Sequence, residues 1–300
     1  MIAPGDPPAP GDLLAIACSA ACEAGEMLAE RRPAGRPEVV AVKSSPTDVV
    51  TELDRTAEDL IRQRIWERRP GDAVLGEEEG EVAGPAGRPA AGPDRPDRPD
   101  GPDGPARVRW IVDPLDGTVN YLYGLADWAV SVAAEVNSEV VAGAVAVPRL
   151  GALFAATAGG GAWRDSCPAG GGQPVRLRCN TGVPLSRALV ATGFGYEAEV
   201  RREQGRVVGA LLPRVRDIRR GGSAAVDLCS VAAGTVDAYY ERGVHLWDIA
   251  AGALIAREAG AEVTGLRGRS PADPVILAAA PGLRAELHDV LAELGADGPA

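Results

Sequence analysis

Apolar segments of two different periods alternate along most of this chain, and that alternation restricts the fold to layers of helix against sheet. Leu13, Ile16, Ala17, Ala20, Ala24, Met27 and Leu28 recur at helical spacing and predict a helix over 12–32, with Asp12 as its cap and Pro33 just past its end. Ala57, Leu60, Ile61 and Ile65 form the buried stripe of a second helix over 54–69, stopped by Pro70-Gly71. Segments 108–112, 129–136, 140–147 and 152–157 are short, apolar and β-branched, as strands are. The second half alternates strand (188–192), helix (199–212), helix (223–233, capped by Ser223), strand (236–241), helix (247–259), strand (275–279) and helix (281–294). Such a pattern fits a mixed α/β or α+β sandwich. Aromatics are only 4% of a chain that is 46% hydrophobic, so the core is expected from small side chains, with helices packed close on sheets.

Two stretches break the pattern. Residues 1–11 are Pro-rich, lack the basic and apolar regions of a signal peptide, and read as a disordered tail. Residues 82–106 are Pro, Asp, Gly and Arg in imperfect short repeats, a composition that cannot bury enough apolar surface to offset its ordering entropy. They read as a disordered loop inserted into a single domain over 12–296, because the residues that belong together chemically flank it. The triple glycines at 159–161 and 170–172 suit turns. No G-x-G-x-x-G follows a strand and opens a helix, which leaves a nucleotide-cofactor reading weak.

A formal net charge of -11 argues against nucleic acid or an anionic membrane as partner. No apolar run reaches the roughly 18 residues a membrane span needs. The five Cys, none in a C-x-x-C pair, suit a reduced cytoplasmic protein, with Cys18 and Cys22 as small core residues.

The strongest chemical signal is the run Trp110 to Asn120. A buried strand enters Asp113-Pro114-Leu115-Asp116-Gly117-Thr118, where Pro114 and Gly117 force a turn. Two carboxylates and the Leu115 carbonyl then face one point, an all-oxygen set that suits Mg²⁺. A helix or turn starting at Gly117 would aim free amides at the same place for phosphate oxygens. The bland alternative is an Asx turn at a strand end. The spacing differs from the D-x-D of haloacid-dehalogenase phosphatases, and the further ligands of an EF-hand are missing. Three adjacent acids, Glu77-Glu78-Glu79, follow a strand end at Leu75-Gly76 that can deliver Glu77 into a cleft. Asp248 opens an apolar helix, as a cap, a ligand or both. With only two His, histidine-based phosphatases and Ser-His-Asp hydrolases are poorly supported.

These residues carry a resemblance. GEE (76–78), WIVDPLDGTVNY (110–121) and LWDIAAGALIAREAGAEVT (246–264), together with TDVVTELD (47–54) and GGSAAVDLCSVAAGTVDAYYE (221–241), resemble the inositol monophosphatase family of lithium-sensitive magnesium phosphatases. The resemblance implies a layered αβαβα sandwich, of the type shared with fructose-1,6-bisphosphatase, and commonly a homodimer. It implies two or three Mg²⁺ ions: Glu77, Asp113 and the Leu115 carbonyl on the first, Asp113, Asp116 and Asp248 on the second, and Glu77 beside a looser third. Thr118 and Glu77 would orient the attacking water, and Asp54 would support Thr118 through a hydrogen bond. Lys43 would sit near the outer metal. The substrate would meet Asp116 and Asp248, with the Gly117 and Thr118 amides on the phosphate and Gly222, Ser223, Ala224 and Glu241 on the alcohol side. Glu79-Gly80 departs from the small polar residue that relatives often carry there, and the Pro/Asp-rich insertion is long.

The implied reaction is direct in-line attack by a water that a metal acidifies, with no phosphoenzyme. Inositol 1-phosphate is the default substrate. Histidinol phosphate, fructose 1,6-bisphosphate and adenosine 3′,5′-bisphosphate are the alternatives, with bisphosphates disfavoured by the low basic content around the motifs. A different class of role, a regulatory binding protein on the same fold, also stays open.

Overall fold

The computed structural model describes residues 8–32, 41–42, 49–50, 52–86, 108–167 and 173–298. In chain order these form α1 (Pro10–Arg31), β1 (Ala41–Val42), β2 (Val49–Val50), α2 (Glu52–Arg68), β3 (Ala73–Gly76), β4 (Gly80–Ala83), β5 (Val108–Asp116), α3 (Thr118–Tyr123), β6 (Ala129–Val136), β7 (Glu139–Val147), β8 (Ala152–Thr157), β9 (Gly161–Ser166), β10 (Val175–Arg176), β11 (Leu189–Thr192), α4 (Ala198–Leu211), β12 (Asp217–Arg219), α5 (Ala224–Ala232), β13 (Ala238–Arg242), α6 (Leu246–Glu258), β14 (Glu262–Thr264), β15 (Val275–Ala279) and α7 (Pro281–Glu293).

Two sheets organise the chain. The larger runs β10-β9-β8-β7-β6-β5-β3-β4 and the smaller β12-β11-β13-β15-β14. Four buried clusters mark the interfaces of five layers. α1 and α2 pack on one face of the large sheet through Leu13, Leu28, Ile61 and Trp110. α5 and α6 pack on its other face through Ile111, Val145, Cys229 and Ile255. The same two helices meet the small sheet through Leu228, Ile249, Tyr239 and Ile276. α4 and α7 close its far face through Val207, Leu211, Leu277 and Leu287. The αβαβα order that the resemblance implies is therefore the observed one. Small side chains allow the close layers: a Cβ at Gly143 of β7 would stand 2.9 Å from the Ala251 Cα on α6.

Some boundaries differ from expectation. α1 starts at Pro10, so the anticipated tail over 1–11 is too long by its last two residues. Pro10 is already fixed near helical φ, and Ala9 occupies the cap position without a side-chain bond, which leaves Asp12 in the first turn beside the positive helix end. The insertion starts later than residue 82. Val82 pairs with Val74 and Ala83 with Ala73, because β4 is a sheet-edge strand with too few apolar residues to show a period. Residues 87–106 of the insertion, 1–7 of the tail and Lys43 lie outside the described residues. The cysteine reading also changes: Cys22 of α1 is disulfide-bonded to Cys167 beyond β9, 145 residues away, a pairing that local spacing does not reveal.

Candidate functional site

The site is built where β5 stops being regular. Asp113 pairs with Ser131 and Asp116 with Ala129, so the β5–β6 ladder shifts register across Pro114 and Leu115. Pro114 brings no N–H to the ladder, and the Asp113 Oδ1 accepts the Leu115 N–H at 3.0 Å. The plain Asx turn is thus present, and it fixes Asp113, which is only 1% exposed. Gly117 then turns the chain with φ 90, and a Cβ there would stand 2.9 Å from the Asp127 carbonyl. α3 begins at the next residue, held by the Tyr121 hydroxyl donating to the Leu28 carbonyl of α1 at 2.9 Å and by an edge-on Tyr121–Trp128 contact.

Asp116 points at the start of α5. Its Oδ2 accepts from the Ser223 hydroxyl at 2.6 Å and from the Ala225 N–H at 2.7 Å. Ser223 caps α5 as anticipated, accepting from the Val226 N–H. Its hydroxyl donates to Asp116, a bond beyond the alcohol-side place that the resemblance implies for it. Asp248 is the third residue of α6 and accepts from the backbone N–H of His245, the capping residue, at 2.6 Å. It is therefore half of a capping box and still retains a second oxygen. Glu77 lies in the turn between β3 and β4, beside the point where Gly76 pairs with Val112 of β5.

The carboxylates feel one another strongly. Burial pushes Asp113 well above the usual carboxylate range, and the charges of Glu77, Asp116 and Asp248 push it further. Burial, then Asp248, lifts Asp116 to about 8 against the opposing bonds from Ser223 and Ala225. Among the described residues no group of three or more His, Cys, Asp or Glu side chains is arranged to hold a metal ion. The donor set nonetheless fits hard divalent cations: four mutually repelling carboxylates, three of them fixed through one oxygen and keeping a second for a ligand bond. The Leu115 carbonyl accepts the Thr118 hydroxyl at 3.0 Å and has a second lone pair. That bond gives Thr118's single proton a different recipient from the Asp54 carboxylate that the resemblance implies. Asp54 itself is buried in the first turn of α2.

Gly222 and Ala224, which the resemblance sets on the alcohol side, stand at the entry to α5, and Glu241 lies near the end of β13. The Tyr239 hydroxyl donates to Glu241 at 2.8 Å, and burial, with help from Asp248, lifts this carboxyl to about 7. Three neighbours escaped the sequence reading. Asn120 Nδ2 donates to the carbonyls of Asp127 (2.5 Å) and Gly221 (2.8 Å), stapling α3 to the turn before α5. Asp227 is 5% exposed and lifted to about 8, by burial first and Glu241 second. Arg220 offsets the charge of both Glu241 and Asp227. The buried Asp227 inside the apolar α5 was the one visible signal among them.

The family model described as "Inositol monophosphatase family" matches residues 10–296. The inositol-1-monophosphatase SuhB of Mycobacterium tuberculosis is 48% identical over 249 residues, covering 83% of this chain and 79% of that protein. The Nus factor SuhB of Escherichia coli is 35% identical over 258 residues, covering 85% and 86%. Among solved structures, Mycobacterium tuberculosis SuhB superposes with TM-score 0.76 at 39% identity, covering 97% of this chain and 99% of that one. The Thermotoga maritima IMPase superposes with TM-score 0.77 at 28% identity, covering 94% and 98%.

Proposed function

The chain belongs to the inositol monophosphatase family, and on that premise we propose that it is a Mg²⁺-dependent phosphatase hydrolysing a small phosphomonoester, with inositol 1-phosphate as its substrate. The observation that supports this most is the set of carboxylates at the end of β5, where the charges of Glu77, Asp116 and Asp248 all raise the cost of charge on the buried Asp113. Such a set is stable in its charged form only with cations between the carboxylates. Asp113, Asp116, Asp248, Glu77 and the Leu115 carbonyl hold Mg²⁺, which when bound supplies Lewis-acid polarisation of the phosphoryl group and acidifies water.

The chain's own groups do the rest. Thr118 Oγ1, its proton on Leu115, presents lone pairs to the attacking water, and the Glu77 carboxylate receives the water's proton. The Gly117 and Thr118 amides, which α3 does not use internally, take phosphate oxygens. Glu241, held by Tyr239, accepts from a substrate hydroxyl. The same reading takes the working form as a cytoplasmic homodimer. No helix among the described residues is long and apolar enough to cross a membrane.

The test is phosphate release from inositol 1-phosphate, histidinol phosphate, fructose 1,6-bisphosphate and adenosine 3′,5′-bisphosphate, with Mg²⁺, with EDTA and with Li⁺. Mg²⁺-dependent, Li⁺-inhibited release from inositol 1-phosphate in preference to the others supports the assignment. Preference for another of them moves the substrate. A folded protein that hydrolyses none sinks it, and favours the regulatory role that the name of the Escherichia coli relative attaches to that protein.

A further inference from the structure

The turn that carries Glu77 is gripped from beneath by a buried ion pair. Gly76 pairs with Gly80 across β3 and β4, so residues 77–79, three acids in a row, close the hairpin. Adjacent like charges favour opening such a turn. Glu58 of α2 is 1% exposed, and its carboxylate accepts the Glu78 N–H at 2.9 Å and the Glu79 N–H at 3.1 Å. Arg62, 3% exposed and one helical turn on, pairs with Glu58 at 2.7 Å. Arg62 also donates to the Glu79 carboxylate at 2.6 Å and to the Gly80 carbonyl at 3.1 Å. A side chain at Gly76 would overlap the Glu58 carboxylate, so strand, turn and helix meet without a gap.

We propose that Glu58 and Arg62 are positioning residues for metal binding: they hold the 77–79 turn closed so that the Glu77 carboxylate stays on the Asp113 side of the site. The inference rests on the Mg²⁺-phosphatase reading. Two consecutive amides after Glu77 are tied to one buried carboxylate, and β3 fixes the residue before it, so the Glu77 backbone is held from both sides. Arg62 neutralises Glu58 and pairs with the Glu79 carboxylate, and Arg55 stands 3.8 Å from the Glu78 carboxylate, which leaves Glu77 as the acid of the three that serves the site. α2 thereby presents a second buried row, Asp54, Glu58 and Arg62 at four-residue spacing, beside its apolar stripe.

The test uses the full-length protein and Mg²⁺ alone as probe. E58Q leaves a buried Arg62 with one partner fewer and risks misfolding, so the paired substitution E58M/R62M, which leaves no buried charge unpaired, is measured beside it. The folded variants are expected to bind Mg²⁺ at least about 10-fold more weakly by titration calorimetry. Their Glu78 and Glu79 amides should exchange hydrogen about 10-fold faster or more without metal. At saturating Mg²⁺, kcat should return to within about threefold of wild type, because no reacting group has been removed. Mg²⁺ affinity within about twofold of wild type in either folded variant overturns the inference, as does unchanged exchange at both amides. A wild-type protein that binds no Mg²⁺ overturns the phosphatase reading itself and this inference with it, so the two failures are distinguishable.

Discussion

The Ser223 hydroxyl and the Asp116 carboxylate, 107 residues apart in sequence, lie 2.6 Å apart, and Ser223 donates while also capping α5. A charge-assisted bond of this kind fixes which oxygen of Asp116 faces the helix and which remains for a cation. Ser223→Ala removes both the bond and the cap. The expected result is a loss of about 1–2 kcal/mol of stability by urea denaturation and a Mg²⁺ half-saturation raised about 10-fold. Wild-type Mg²⁺ dependence in a folded Ser223→Ala protein would show that Asp116 needs no such guide.

Asp113 is the most burdened carboxylate, buried and flanked by three other acids. Asp113→Asn keeps its size and removes its charge. In EDTA the variant should melt no lower than wild type, because the repulsion from Glu77, Asp116 and Asp248 is relieved. Turnover should fall by at least about three orders of magnitude, since the shared ligand of both proposed ions is gone. Paired melting curves and phosphate-release assays check both halves, and retained activity defeats the assignment.

Gly117→Ala tests the turn itself. The residue sits at φ 90, and the new methyl would stand 2.9 Å from the Asp127 carbonyl and 3.3 Å from the Gly222 carbonyl. Strain of about 1–3 kcal/mol is expected, read as a lower urea midpoint. The substrate KM should rise with it, because the 117 and 118 amides move. An unchanged midpoint and KM would mean that the turn adapts freely.

What was legible in the sequence was local. β5 running into Asp113, Pro114, Asp116 and Gly117 announces strand and turn within a few residues, and α6 opening at Asp248 announces itself similarly. What stayed hidden depends on partners far along the chain. Asn120 bonds to Gly221, 101 residues away, and Glu58 to the amides 20 and 21 residues on. In α2 the buried Glu58 and Arg62 look like ordinary surface charges at helical spacing, because no local pattern distinguishes a charged residue facing solvent from one facing another turn. Likewise β12 and β14, at three residues each, are too short for a period to register. They are strands because β11 and β15 supply the other half of each ladder.

The same buried acids set a pH dependence whose sign is opposite to that of surface ion pairs. Asp116 and Asp227 are lifted from 3.8 to about 8 and Glu241 from 4.5 to about 7, with Asp113 also raised, all chiefly by burial. In the metal-free protein the folded state therefore holds protons that the unfolded chain releases above the ordinary carboxylate range. Folding is then coupled to proton uptake, and stability falls as pH rises from about 4 to about 8. Asp217 and Glu293, lowered chiefly by their bonds to Arg219 and Arg214, act only at the acid end: their contribution is present above the ordinary range and is lost on acidification. Melting temperatures in EDTA should accordingly decline between about pH 5 and about pH 8. With saturating Mg²⁺ the charged carboxylates gain partners, so the decline should flatten, and Mg²⁺ binding near neutral pH should release protons, seen as a buffer-dependent heat in calorimetry. A melting curve in EDTA that is flat or rising over that range, or Mg²⁺ binding with no proton release, would mean that these carboxylates are already charged and compensated without metal, and the case for cations between them would fail.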